Sequence, residues 1–307
     1  MTIERWTITG RDEWLARRRP NINGSEVGAL FGCNPYLTRF ALHADKAGLV
    51  DGSKPDNDAM RRGRILEPAV EQAVKEYRPD LAIWKSQDYV WSPDWRLGCT
   101  PDFYVTCPTR GLGVCQAKTV AKPIFEDEWS GGPPKWIILQ TLQEMMLTEV
   151  SWGFVAALVL SSFSVELQTW DFTRHDAAEG KIKAEAAKFW ADVAAGRAPP
   201  ANYAEDGDTI KALFPRDDGP TLDLSTDNRM PELLDRLEML QARGKDADKE
   251  IEAIKAEIAE KMGASALATL PGWQITHKLQ HRKEVVIKGS SFRVLRVKRI
   301  TPKEQAA

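Results

Sequence analysis

The feature that most constrains this chain is a change of hydrophobic period. Residues 59–77 repeat apolar side chains at helical spacing, with Leu66, Val70, Ala73, Val74 and Tyr77 on one stripe. From residue 81 the rhythm becomes that of strands. Residues 81–91 read as a strand and edge, 97–106 as a strand entered by a turn, and 111–120 as its hairpin partner across Pro-Thr-Arg-Gly. Helical spacing returns over 135–150, with Ile138, Leu142, Met145 and Met146 inward. Residues 152–162 predict a buried strand, 165–172 its hairpin partner, and 177–196 a helix ending at Gly196. This order predicts a mixed α/β core.

Before this region, Ser25 is placed to cap a helix over 25–32, and Gly48 to close one over 39–48. Pro68 fits poorly inside a helix, so the 59–77 stripe predicts either a start near Glu67 or a local kink. We divide the chain into a core over 1–200, a Pro-rich polar linker over 201–228, and an extension over 229–307. The extension opens with Leu233, Leu237, Leu240, Ala247, Ile251, Ile254 and Ile258 in heptad rhythm, with Gly244 in one seam position. It reads either as one long helix or as a hairpin broken at Gly244. Residues 273–300 alternate like short basic strands.

Composition removes several function classes. The chain has 307 residues, of which 43% are hydrophobic and 28% charged, and no run approaches 18 apolar residues. Such a chain is globular and is not expected to span a membrane. The N-terminal stretch lacks an apolar signal region, so a cytoplasmic location in a bacterial host cell is expected, encoded by host or prophage. Cys33, Cys99, Cys107 and Cys115 form no C-x-x-C pair, which favours reduced thiols over zinc. His43, His175, His277 and His281 form no helical metal clamp. No phosphate-cradling G-x-x-x-x-G-K-[ST] motif and no G-x-S-x-G elbow occurs. The eleven tryptophans sit mostly in apolar patterns, which suits core packing. The net charge of −2 does not by itself announce nucleic acid. Two local basic concentrations, residues 16–20 and 60–64, read most simply as solvated faces.

One constellation carries chemistry. Asp102 follows Pro101 at the start of one strand, and Gln116 and Lys118 lie two apart on the next, so they share a face. Glu67 on the preceding helix completes the group. Oxygen ligands suit Mg²⁺, which uses one or two carboxylates plus waters and a substrate phosphate. Lysine at the third position orients or activates a water. By pattern alone, a turn aspartate and exposed strand ends explain the same residues.

The motifs resemble, in order over residues 11–195, the phage lambda exonuclease and YqaJ viral recombinase family of PD-(D/E)XK nucleases. "WLARRRPNINGSEVGALFG" is similar to the family's opening motif, "GRILEPAV" to its G-x-x-x-E helix, "GCTPDFYV" to its aspartate strand, "VCQAKT" to its acid-X-Lys strand, and "LQTLQEMMLT" to its glutamine helix. The resemblance implies a restriction-endonuclease-like core with a mixed central sheet flanked by helices, plus a C-terminal helical and β extension. It implies Glu67, Asp102 and the residue at 116 as metal-site positions, Lys118 as the catalytic lysine, and Gln140 as support, with Gln143 one turn on. Arg18 and Ser25 fall where the family holds the 5′-terminal phosphate of DNA. Their plainer readings are a surface arginine and a helix cap. The implied activity is Mg²⁺-dependent (Mn²⁺ substituting) 5′-to-3′ digestion of linear double-stranded DNA, by a homotrimeric ring acting beside a single-strand annealing protein.

One position departs from the family. Gln116 stands where an acid is expected, and an amide keeps a carbonyl oxygen but loses the charge. It reads either as a tolerated natural variant or as a deliberate Glu→Gln change that traps uncleaved DNA. Two other functions stay open: a non-catalytic DNA-end binder with a decayed site, and a phage structural or assembly protein built on the heptad segment.

Overall fold

The computed structural model describes residues 2–52, 57–216, 223–270, 273–279 and 297. The elements run β1 (Glu4–Thr7), α1 (Arg11–Arg18), β2 (Ile22–Asn23), α2 (Val27–Leu30), α3 (Arg39–Lys46), α4 (Asp58–Tyr77), β3 (Ala82–Lys85), β4 (Asp88–Ser92), β5 (Leu97–Cys99) and β6 (Phe103–Cys107). They continue as β7 (Gly111–Ala121), α5 (Lys122–Glu128), α6 (Lys135–Thr148), β8 (Trp152–Leu160), β9 (Val165–Thr173), α7 (Asp176–Ala194), α8 (Gly207–Leu213), α9 (Met230–Met262), β10 (Leu267–Leu270) and β11 (Trp273–Thr276).

The central sheet has the order β3-β6-β7-β8-β9. Only β7 and β8 pair in parallel; the remaining pairs are antiparallel. This is the mixed sheet flanked by helices that was expected. Strand β8 explains why its sequence is a continuous apolar run: Phe154, Ala156 and Leu158 pack with Val70 and Val74 of α4, while Val155 and Ala157 pack with Ile137 of α6. A second sheet, β1-β4-β5-β2, builds another core with α2, α6 and α7, including Ile22, Leu97, Met146 and Phe189.

Several sequence boundaries shift for identifiable reasons. The stretch 81–91 is two strands in different sheets, β3 and β4. The stretch 97–106 likewise divides into β5 and β6 at Thr100-Pro101-Asp102, where Pro101 has no N–H for the ladder. Helix α4 starts at Asp58, where the Asn57 side chain accepts from the Met60 N–H at 2.8 Å, and it runs through Pro68. Its buried stripe is Val70, Ala73 and Val74, while Tyr77 at the end is exposed. On α6, Ile137 is buried in place of Ile138, which is only half-buried. Ser25 does not cap α2, whose preceding residue is Glu26 and whose first turn has no side-chain cap. Gly48 and Gly196 take positive φ at +71° and +64° just past α3 and α7, as expected of C-terminal glycines.

Residues 1–214 form one compact unit and 215–307 a second. The first therefore reaches into the segment expected as linker: Asp206 is buried, bonds Thr38 of the α3 cap, and accepts from the Asn202 N–H at 2.7 Å. In the second unit α9 is a single helix through Gly244, and β10 and β11 form a hairpin. Most of the basic alternation expected over 273–300 lies outside the described residues. Among the described residues no helix is long and apolar enough to cross a membrane. Cys99, Cys107 and Cys115 are buried free thiols, and Cys33 is half-buried.

Candidate active site

The register of the central sheet sets the site. Gln116 and Lys118 of β7 pair with Val155 and Ala157 of β8, so all four point toward α6. Helix α6 answers with Gln140. Gln116 is 1% exposed and Gln140 7%, so their amides must find partners inside the protein. They find each other: Gln140 Nε2 donates to Gln116 Oε1 at 2.7 Å. Gln116 Nε2 in turn donates to Asp102 Oδ2. The same Asp102 oxygen accepts the backbone N–H of Ala117 at 2.9 Å, which pins it to β7. At the other end, Lys118 Nζ lies 3.5 Å from Gln140 Oε1 and 5.6 Å from the Trp136 ring centroid.

Lys118 can only donate, so its contact orients the Gln140 amide with oxygen toward lysine and nitrogen toward Gln116. Gln116 must then show its oxygen to Gln140 and its nitrogen to Asp102. Four expected residues are thus one directional chain, Lys118 to Gln140 to Gln116 to Asp102.

Glu67 stands apart from that chain. It is carried by α4, on the opposite face of the sheet, and pairs with Lys85 of β3 at 2.9 Å. Its charge still reaches Asp102. Burial pushes the Asp102 carboxyl up to about 6, with Lys118 opposing and Glu67 adding to the rise. Lys85 was not anticipated, although it is the one charged residue in the 81–85 strand pattern.

Glu144 is the second residue that sequence reasoning missed. It lies one turn beyond Gln140, is 1% exposed, and accepts from Gln140 Nε2 at 3.0 Å. Burial and then the nearby Asp102 push its carboxyl well above the usual carboxylate range. Its signal was available: an acid four residues after Gln140 on a helix whose other positions are mostly apolar. Gln143, by contrast, is structural. Its Nε2 donates to the Ile22 and Gly98 carbonyls, each at 2.9 Å, tying α6 to β2 and β5.

Arg18 and Ser25 come together, with Arg18 Nη2 at 3.4 Å from Ser25 Oγ. The Arg18 guanidinium lies 4.4 Å from the Trp14 ring centroid, and Trp14 Nε1 donates to Thr100 Oγ1 at 3.0 Å. Thr100 precedes Asp102 by two residues, so this pair is braced against the aspartate turn. The loop also touches the amide chain: a Cβ on Gly24 would meet Gln140 Cγ and Glu144 Oε1 at 3.3 Å. Gly28 permits α2 to meet α6, since a Cβ there would stand 2.8 Å from Trp136 Cβ.

The donor set can be tested for a divalent cation. Among the described residues no three His, Cys, Asp or Glu side chains converge as a ready metal cluster. What is present is the half-buried Asp102 carboxyl with a raised pKa, the Glu67 carboxylate on the other face of the sheet, and a buried Glu144 oxygen, Oε2, unpartnered among the described residues. All are hard oxygen donors. The set fits Mg²⁺, which takes one or two carboxylates and keeps several waters.

The central sheet and α6 thus gather a carboxyl, two amides and a lysine around β7. Residues 13–151 match the family model of the YqaJ-like viral recombinase domain, the family that the motifs resemble. It is 36% identical over 84 residues to "Uncharacterized protein YqaJ" of Bacillus subtilis (strain 168), a match spanning 26% of each protein. Among solved structures it is similar to an alkaline exonuclease, LHK-Exo, from Laribacter hongkongensis, with 19% identity and a TM-score of 0.46, covering 65% of this chain and 99% of that one. A phage-related exonuclease from Haemophilus somnus 129PT shows 14% identity and a TM-score of 0.42, covering 57% and 96%.

Proposed function

We propose that this protein is a Mg²⁺-dependent exonuclease that resects linear double-stranded DNA from 5′ ends, feeding a single-strand annealing protein in phage-type recombination. The observation that carries the reading is the hydrogen-bonded chain Lys118–Gln140–Gln116–Asp102 inside a YqaJ-like domain. Asp102 and Glu67 would hold the cation, and Gln116 would join them through its carbonyl once its amide turns from Gln140. The cation would polarise the phosphodiester and lower the pKa of a water. Lys118 holds a positive charge beside the site and orients the attacking water. Gln140 fixes that lysine. Arg18 offers a guanidinium fork and Ser25 a hydroxyl to a terminal 5′-phosphate. Exposed Arg61 and Arg62, on the α4 turns before Glu67, suit the DNA backbone. A homotrimeric ring would confine such basic surface to a channel, which accords with the net charge of −2.

One observation favours the second reading, a DNA-end binder without catalysis: the Gln116 amide already satisfies Asp102 with no cation. Incubating linear 5′-phosphorylated duplex with the protein and Mg²⁺ or Mn²⁺ separates the two. Progressive loss of one strand, abolished in Lys118→Ala and Asp102→Asn, supports the nuclease. Tight end binding with no digestion by either wild type or Gln116→Glu assigns the protein to the second reading.

A further inference from the structure

The Glu144 side chain is difficult to explain as packing. It is buried at the centre of the domain, one oxygen meets only Gln140, and the other has no partner among the described residues. A buried carboxylate in that state is unfavourable wherever it is not used. Its position is informative. Gln140 Nε2 donates at once to Glu144 Oε1 and to Gln116 Oε1, so residues 144 and 116 are two acceptors on one nitrogen. Position 116 carries an amide where the family pattern has an acid, and position 144 carries an acid across that shared nitrogen.

We propose that Glu144 is a positioning residue of this site, electrostatically paired with position 116. Its carboxyl oxygen accepts from the Gln140 amide and holds it in the orientation that presents oxygen to Lys118. Asp102 and Glu144 then share one lysine and two bridging amides. A third carboxylate at 116 would place two acids on the same Gln140 nitrogen beside Asp102, with Lys118 as the nearest counter-charge in the chain. The two positions therefore accommodate one carboxylate between them unless a cation is bound.

The inference rests on taking this cluster as the working site, but its test needs no nuclease activity. Four full-length proteins are compared: wild type, Gln116→Glu, Glu144→Gln, and the double variant. Each is melted in chelator and titrated with Mn²⁺ by calorimetry. In chelator, Gln116→Glu lowers Tm by roughly 5–10 °C. Adding Glu144→Gln to that variant restores at least about half of the loss, a coupling that independent sites do not show. The double variant binds Mn²⁺ about tenfold or more tightly than Glu144→Gln alone. If Gln116→Glu alone yields no folded protein while the double variant does, that is the same rescue. Additive Tm changes, or failure of Glu144→Gln to fold in both backgrounds, overturn the proposal and leave Glu144 as a core residue only. Coupled positions in a protein inert toward DNA would defeat the nuclease reading and leave this one standing.

Discussion

Gln116 Nε2 donates to Asp102 Oδ2, so the amide occupies the flank of the aspartate where a carboxylate at 116 would share a cation with it. This contact makes the metal-free site self-satisfied and gives cation binding a competitor. It also links the site to pH.

The Asp102 carboxyl titrates at about 6 in the folded chain against an ordinary 3.8. Folding thus favours the protonated form. The protonated group carries no penalty below about pH 4, and the cost of ionising it in place grows between pH 4 and 6 and is complete above that. Protons and Mn²⁺ compete for the same oxygens. Affinity for Mn²⁺, read by calorimetry, is expected to fall about tenfold per pH unit below pH 6 and to level off above pH 7. An affinity flat from pH 5 to 8 would remove Asp102 from the cation site. In chelator, Asp102→Asn is expected to abolish the gain in Tm that wild type shows, relative to the variant, as pH falls from 7 to 4.5.

Arg18 tests the end-binding half of the site. Losing a charge-assisted hydrogen bond costs about 1.5–3 kcal/mol. Arg18→Ala should therefore bind 5′-phosphorylated duplex about ten- to a hundredfold more weakly, while binding to 5′-hydroxyl duplex changes little. Equal loss on both ends, measured by fluorescence anisotropy at fixed salt, would make Arg18 a general backbone contact instead.

Gly28 tests the close approach of α2 and α6. A methyl group there would meet Trp136 Cβ at 2.8 Å. Gly28→Ala is expected to cost about 1–3 kcal/mol and to lower Tm visibly. Gly180 on α7 is the control, because a Cβ there meets nothing within 4 Å. Gly180→Ala should be neutral or stabilising by up to about 1 kcal/mol. A Gly28→Ala protein melting like wild type would show that Trp136 can retreat.

A chain ending at Phe214 tests the division of labour. The buried core clusters use residues up to Val193, all within the first unit. The shortened chain should keep the near-UV circular dichroism of a packed core, its assembly state in sedimentation, and any digestion of DNA. If the fold survives while assembly disappears, the heptad helix α9, with Leu240 and Ile254 about half exposed, is the assembly element. That outcome would favour the structural-protein reading.

Sequence by itself determined the kind of fold and singled out Asp102, Gln116, Lys118 and Gln140, which the fold brings into hydrogen-bond contact. Period alone distinguishes α4 and α6 from β7, because a two-residue and a 3.6-residue repeat bury different side chains, while β8 shows as a continuous apolar run. Alternation put Gln116 and Lys118 on one face, and motif order supplied Glu67, Asp102, Gln140, Arg18 and Ser25. Tertiary structure decided how these groups meet. Period says nothing about which sheet a strand joins, so the splits at Ser86 and Pro101 that hand the chain between two sheets were invisible. Helical spacing cannot tell that Gln140 faces Gln116 while Gln143 faces backbone carbonyls, since that depends on where α6 lies on the sheet. Lys85 and Glu144 were overlooked for the same reason. A charge in a local pattern reads as solvated, and only packing against distant elements shows that one pairs with Glu67 and the other is sealed behind the amide chain.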